Sequence, residues 1–160
     1  MAGKKKAMPD SGTIAANRRA KHDYFIDERI EAGICLQGWE VKAMRAGRAN
    51  LSDSYVTIKK GEMFLFGSQV QPMDVACSYV VCDPMRTRKL LMHEREISKL
   101  IGLVQRAGTT LIPLSLYWKG RHIKCELGVC RGKKEYDKRE SIKQNDWARE
   151  KARIMKHSHR

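Results

Sequence analysis

Between residues 94 and 107 the apolar positions Ile97, Leu100, Ile101, Val104 and Ala107 recur at the i, i+3, i+4, i+7 spacing of one helical face, and Gly108 supplies a stop. Glu94 and Glu96 in the first turn suit the positive end of the helix dipole. Downstream the period drops to two. Ile112, Leu114, Leu116 and Trp118 share one face of a strand, and Lys119-Gly120-Arg121 turns the chain. A second strand follows, with Ile123, Cys125, Leu127 and Val129 inward and His122, Lys124 and Glu126 outward. Upstream, Tyr55–Lys59 and Met63–Phe66 are β-rich runs joined by Lys60-Gly61-Glu62, a hairpin signal.

The remaining segments carry weaker patterns. Residues 1–16 are small, polar and punctuated by Pro and Gly, so the sequence predicts a mobile arm, with order beginning near Tyr24-Phe25-Ile26 and a charged turn at Asp27-Glu28-Arg29. Ile34–Val41 alternates loosely around Trp39 and reads as a strand; Lys42–Ala46 reads as a short helical turn stopped by Gly47. Asn50–Ser54 is a loop, and residues 71–87, with Pro72 and Pro84, form a long connection with a brief strand at Tyr79–Val81. Short antiparallel strands with one main helix predict a β-rich α+β domain built as a small oligonucleotide-binding-type barrel, with an α+β sandwich as the alternative. After Cys130 the core pattern stops. Trp147, Ala148, Lys151, Ile154 and Met155 fall on one arc if the tail is helical, and Ser141 with Gln144 fits a capping box. The organisation expected is a flexible arm over 1–16, a barrel over 17–131 and a basic tail over 132–160. The tail is read as disordered alone and helical once docked; docking of its apolar stripe back onto the barrel is the alternative.

Charge sharpens this division. The 160 residues carry 32 Lys and Arg against 18 Asp and Glu, a net +14. Residues 1–22 hold +5 and residues 131–160 hold +6, whereas residues 23–130 hold only +3. Basic arms around a nearly neutral body suit a polyanion, because each phosphate contact releases counterions. No apolar run approaches the roughly 20 residues of a bilayer span, and no secretory h-region follows Lys4-Lys5-Lys6, so a cytoplasmic protein with no membrane partner is expected.

Catalytic and metal signatures are missing. There is no phosphate-binding glycine loop, nucleophile elbow or paired-histidine zinc helix, so the chain reads as a non-enzyme without cofactor or metal. Cys77/Cys82 and Cys125/Cys130 are C-x4-C pairs with Cys35 left over. The latter pair flanks a strand whose residues five apart point to opposite faces, and an odd count in a cytosolic chain argues against a disulfide framework; buried thiols are expected.

An ordered series of motifs then carries a resemblance. Asn17-Arg-Arg-Ala20, His22-Asp-Tyr24, Glu31-Ala-Gly-Ile34, Trp39-Glu-Val-Lys42 and Arg45–Tyr55 are followed by Asp83–Leu91, Gly132-Lys-Lys134 and Tyr136-Asp-Lys-Arg139. This series, over residues 17–139, resembles the SmpB family of bacterial trans-translation; the lysine-rich start departs from it. The resemblance implies a protein that binds the tRNA-like domain of transfer-messenger RNA and delivers it to stalled ribosomes. Its tail would occupy the empty mRNA channel near the decoding centre, with alanyl-tRNA synthetase and elongation factor Tu acting on the same RNA. A generic RNA-binding or ribosome-assembly module is the alternative.

Asn17, Arg18, Arg19 and Lys21 are the candidates to clamp RNA backbone, and Tyr24 to stack on an unpaired base, core packing being its other reading. Lys42, Lys89 and Lys124 are phosphate candidates. Glu31 can accept hydrogen bonds from base amino groups or orient a basic neighbour, and the resemblance places it with Leu91 on the RNA-contacting surface. In the tail, the resemblance assigns Gly132, Lys133, Lys134, Asp137, Lys138 and Arg139 to ribosomal RNA, with Trp147 stacking and Ile154 and Met155 packing in a groove.

Overall fold

A computed structural model of the chain describes residues 12–74 and 80–158. The expectations for the lysine-rich start, Cys77 and Tyr79 lie outside the described residues. Nine strands and four helices appear among them: β1 (Thr13–Ala16), α1 (Arg18–Asp23), β2 (Tyr24–Ile34), α2 (Gly38–Arg45), β3 (Ala49–Asn50), β4 (Tyr55–Lys59), β5 (Glu62–Phe66), β6 (Gln69–Val70), β7 (Arg88–Leu91), α3 (Glu94–Ala107), β8 (Thr110–Lys119), β9 (His122–Gly132) and α4 (Glu135–Ser158).

Seven strands form one antiparallel sheet in the order β1-β8-β9-β2-β7-β5-β4, and β3 pairs with β6 separately. The sheet curls until β4 packs near β8, but no hydrogen-bonded ladder joins them. The β-rich α+β class expected from the sequence is therefore present, but its strands form an open, curled sheet and not a closed barrel. Its two edge strands, β1 and β4, are four and five residues long and do not pair with each other.

The hairpins and the long helix form where expected, but the single face expected of Ile112, Leu114, Leu116 and Trp118 splits at a bulge between Pro113 and Ser115: Ile112 and Leu114 join a second cluster, while Leu116 and Trp118 pack in the main core. Lys60 and Gly61 both take positive φ, 51° and 72°, which makes the β4–β5 connection a two-residue turn whose twist matches its strands. Helix α3 buries Leu100 completely and ends on left-handed Gly108. Met63, Leu65, Leu90, Leu116 and Leu127 meet it in the main core.

Four local expectations are corrected. Asp27-Glu28-Arg29 does not turn the chain: β2 runs through it with a bulge between Ile26 and Glu28, and Arg131 takes the Asp27 carboxylate at 2.7 and 2.9 Å. The strand expected over Ile34–Val41 stops at Ile34, and helix α2 follows. Glu40 Oε2 accepts the Gln37 N–H at 2.7 Å while Trp39, Ala43 and Met44 bury one helical face. Residues 13–16, expected in the mobile arm, pair with β8 because Ile14 and Ala15 pack on the core. Ser141 lies inside α4 rather than at its start, where Asp137 instead accepts the Lys134 N–H at 3.3 Å.

Cys125 lies in the main core and Cys130 in a second cluster with Ala20, Ile112 and Leu114, so the pair does face opposite sides of the sheet. Burial pushes their thiols up to about 12 and about 11 respectively. The all-buried-thiol expectation fails elsewhere: Cys35 is exposed, and Cys82, half-buried against the main core, is disulfide-bonded.

The deepest polar feature joins α2 to β7. Glu40 and Arg88 are both fully buried, and Arg88 reaches the carboxylate at 2.8 Å. Arg86 adds a second contact at 2.7 Å. Arg88 also donates to Ser68 Oγ and to the Ser68 and Arg86 carbonyls, so no donor is wasted. Burial pushes the Glu40 carboxyl up, but the Arg86 and Gln37 hydrogen bonds and the Arg88 charge overcome it and hold the group below its ordinary range.

Candidate nucleic-acid interface

Strand alternation builds one polar face on β2, β9 and β8. Inward Ile30, Ala32 and Ile34 leave Arg29, Glu31 and Gly33 facing out, and register sets Glu31 opposite Glu126 and Gly33 opposite Lys124. Two carboxylates directly across a ladder repel. Each is answered from β8 or β2: Glu31 accepts from the Tyr117 hydroxyl at 2.6 Å and Lys119 at 2.8 Å, and Glu126 from Ser115 at 3.1 Å and Arg29 at 3.4 Å. The Lys119 and Tyr117 hydrogen bonds hold the Glu31 carboxyl below its ordinary range, and the Lys124 charge adds to them. Burial and the Glu31 carboxylate together push the Tyr117 phenol well above its ordinary range, so it stays a donor.

The same face continues onto β7. Gly33 faces Leu91, and a Cβ at Gly33 would lie 3.1 Å from the Leu91 Cβ, so glycine lets Leu91 lie across the strand while half exposed. Lys89 pairs with Glu62 at 2.6 Å. The structure thus brings together Glu31, Leu91, Lys89 and Lys124, which the sequence scatters over 94 residues. Lys42 stands apart on α2, lining a groove with Trp39 and Val80.

A second cationic patch lies where α1 meets the base of α4. Asn17 does not present its amide there. At 3% exposure it caps α1, accepting the Ala20 N–H at 3.1 Å and donating to the Pro113 carbonyl at 3.2 Å, so its part is to position the helix. Arg18 and Lys21 are exposed with no ion-pair partner among the described residues, whereas Arg19 bridges Asp23 at 3.5 Å and Asp53 at 3.0 Å. Tyr24 is half-buried against the cluster of Ile112 and Leu114. Asp23 ties in the tail: its carbonyl accepts the Lys133 N–H at 2.9 Å and its carboxylate faces Lys138 at 3.5 Å. Lys133 lies 4.9 Å from the Phe25 ring centre. Gly132 is the last paired residue of β9, opposite Tyr24, while Lys134 and Arg139 are exposed.

Beyond this base, α4 is 24 residues long, about 36 Å at 1.5 Å per residue. Trp147, Ile154 and Met155 are 70, 65 and 60% exposed, which overturns the alternative that they dock back on the sheet. The sequence reading missed Tyr117, Lys119 and Arg29 as partners on the Glu31 face. The period-two pattern that sends Leu116 and Trp118 to one side already sends Tyr117 and Lys119 to the other. Among the described residues no three His, Cys, Asp or Glu side chains converge as a metal site would need, and no helix is long and apolar enough to cross a membrane.

A family model described as SmpB protein matches residues 14–157, from β1 to the last turn of α4. The chain belongs to the SmpB family. A solved chain from work described as "tmRNA-SmpB: a journey to the center of the bacterial ribosome" is similar at 42% identity and a TM-score of 0.63, over 79% of this chain and 92% of that one. Because the SmpB match includes α4, the tail belongs to the same family unit as the sheet. The lysine-rich start, outside the match, is not part of the SmpB pattern.

Proposed function

We propose that this SmpB-family chain is an RNA adaptor. It binds the tRNA-like domain of transfer-messenger RNA and delivers that RNA to ribosomes stalled on incomplete messages, where trans-translation tags the unfinished protein. The observation that carries the reading is the 42% identity to a chain described with that RNA in the ribosome. Two separate surfaces that carry basic side chains on one chain support it. The Glu31 face offers Lys89, Lys124 and Lys119 for phosphates and half-exposed Leu91 for an unstacked base, a mixture suited to folded RNA rather than to a duplex groove.

The curled antiparallel sheet supports an oligonucleotide-binding-type barrel, open at the β4–β8 seam, as the RNA-binding domain over residues 17–131. Residues 132–160 form the ribosome-directed tail. Lys134, Arg139 and the exposed Trp147, Ile154 and Met155 stripe meet ribosomal RNA in the mRNA channel, giving α4 the packing partner a lone charged helix lacks. The protein works without chemistry of its own, in the cytoplasm where ribosomes are. A gel-shift comparison tests the reading: the tRNA-like domain must bind more tightly than a length-matched RNA at the same salt concentration. Equal affinities would reduce the protein to a generic RNA-binding module.

A further inference from the structure

We infer that the cleft between α1 and the loop before β4 is a binding site for one unpaired nucleobase, with guanine preferred; the inference builds on the RNA-adaptor reading. The cleft holds about 270 Å³ and is lined by Tyr24, Tyr55, Arg19, Asp53, Ser54 and Ile112, at the seam where β4 approaches β8. It falls below the roughly 300–1,000 Å³ of sites that enclose drug-sized ligands, which suits a single ring system entering from a longer polymer.

Its walls are aromatic. Tyr55 is stacked on Phe66 at 5.6 Å with 10° between the planes, so one ring face is covered, yet the residue is 54% exposed. A ring held flat by its neighbour with its other face open is a platform that a base can extend.

Asp53 sets the preference. Among the described residues its carboxylate, 79% exposed, is held by Arg19, itself 68% exposed and shared with Asp23 on the same cleft wall. Such a surface pair opens at little cost. A carboxylate repels phosphate and accepts hydrogen bonds without donating any, so it selects a base edge carrying adjacent N–H donors. Guanine presents two, N1–H and N2–H; adenine, cytosine and uracil interrupt theirs with acceptors.

The test titrates the full-length protein with 5′-GMP, AMP, CMP and UMP while following backbone and ring resonances. GMP should shift Tyr24, Tyr55, Ala20 and Ile112 at the lowest concentration, and Asp53→Asn should remove that preference. Tyr55→Ala should weaken binding to the tRNA-like RNA by roughly 5- to 150-fold, the range of base–aromatic stacking, with Tyr55→Phe within about two-fold of the unaltered protein. Matched urea midpoints show that the variants fold. No preference for GMP, or a folded Tyr55→Ala variant with unchanged RNA affinity, would overturn the site. If GMP fills the cleft while the tRNA-like RNA binds no better than a length-matched RNA, the base site stands and the adaptor reading falls.

Discussion

Replacing Glu40 by glutamine keeps the side-chain shape and removes one charge from the best-buried ion cluster in the chain. Arg88 loses the partner it meets at 2.8 Å while remaining fully enclosed, with its other N–H groups committed to Ser68 and the Arg86 carbonyl. Arg86, 29% exposed, can turn toward water and adds little to the loss. Stranding one charge of a buried pair costs about 3–5 kcal/mol. At about 2–4 °C per kcal/mol for a chain of this size, Tm should fall by about 6–20 °C, read by calorimetry or urea unfolding. The pH dependence supplies an internal check. The Glu40 carboxyl is held below its ordinary range in the folded state, so its contribution is complete above the unfolded value of about 4.3 and disappears as pH falls through the lower folded value. The deficit of Glu40→Gln should therefore shrink in acid. A loss under about 1 kcal/mol at neutral pH, or a deficit that does not change with acidification, would refute the reasoning. The consequence reaches function, because the cluster fixes α2, with Lys42, against β7, with Lys89 and Leu91.

Three further outcomes are expected. The logarithm of affinity for transfer-messenger RNA should fall linearly with the logarithm of salt concentration, by about 0.7–0.9 per phosphate, and Arg18→Ala or Lys21→Ala should flatten the slope by about one contact each; a flat response in the unaltered protein would reject the phosphate contacts. Glu31→Gln replaces the charged acceptor of the Tyr117 hydroxyl with a neutral amide, so the Tyr117 phenol, raised by burial and by that carboxylate, should titrate at lower pH by ring-resonance titration; an unmoved titration would separate the two groups. Trp147→Ala should change unfolding stability by less than about 0.5 kcal/mol, since the ring is 70% exposed, while reducing tagging on stalled ribosomes in a reconstituted assay.

What the sequence discloses follows the range of the interactions. Helix α3 and the β4–β5 and β8–β9 hairpins are written in local periods and adjacent turns, so they are legible. Helix α2 is misread because Ile34, Leu36 and Val41 imitate alternation, while the signal that prevails is the Gln37–Glu40 cap together with Trp39, Ala43 and Met44. Strand β2 is cut short on paper by its charged triplet, since nothing local shows that Arg131, 104 residues away, will take Asp27. Glu40 and Arg88 stand 48 residues apart in ordinary-looking surface motifs, and only the fold shows them to be core. The candidate RNA-contact residues divide in the same way. Lys124 and Glu126 are placed outward by alternation alone, Leu91 and Glu31 enter through the family resemblance, and Asn17, read as an RNA contact, is a helix cap. Its fit to that role was visible in its place just before Arg18-Arg19-Ala20.

The central claim is that two separable surfaces act on one chain, a folded domain that holds transfer-messenger RNA and a projecting helix that engages the ribosome. Removal of residues 140–160 tests it most directly, with RNA affinity and tagging of stalled products measured on the same preparation. The account predicts affinity for transfer-messenger RNA close to that of the intact protein and no tagging. Loss of RNA binding in step with tagging would contradict it.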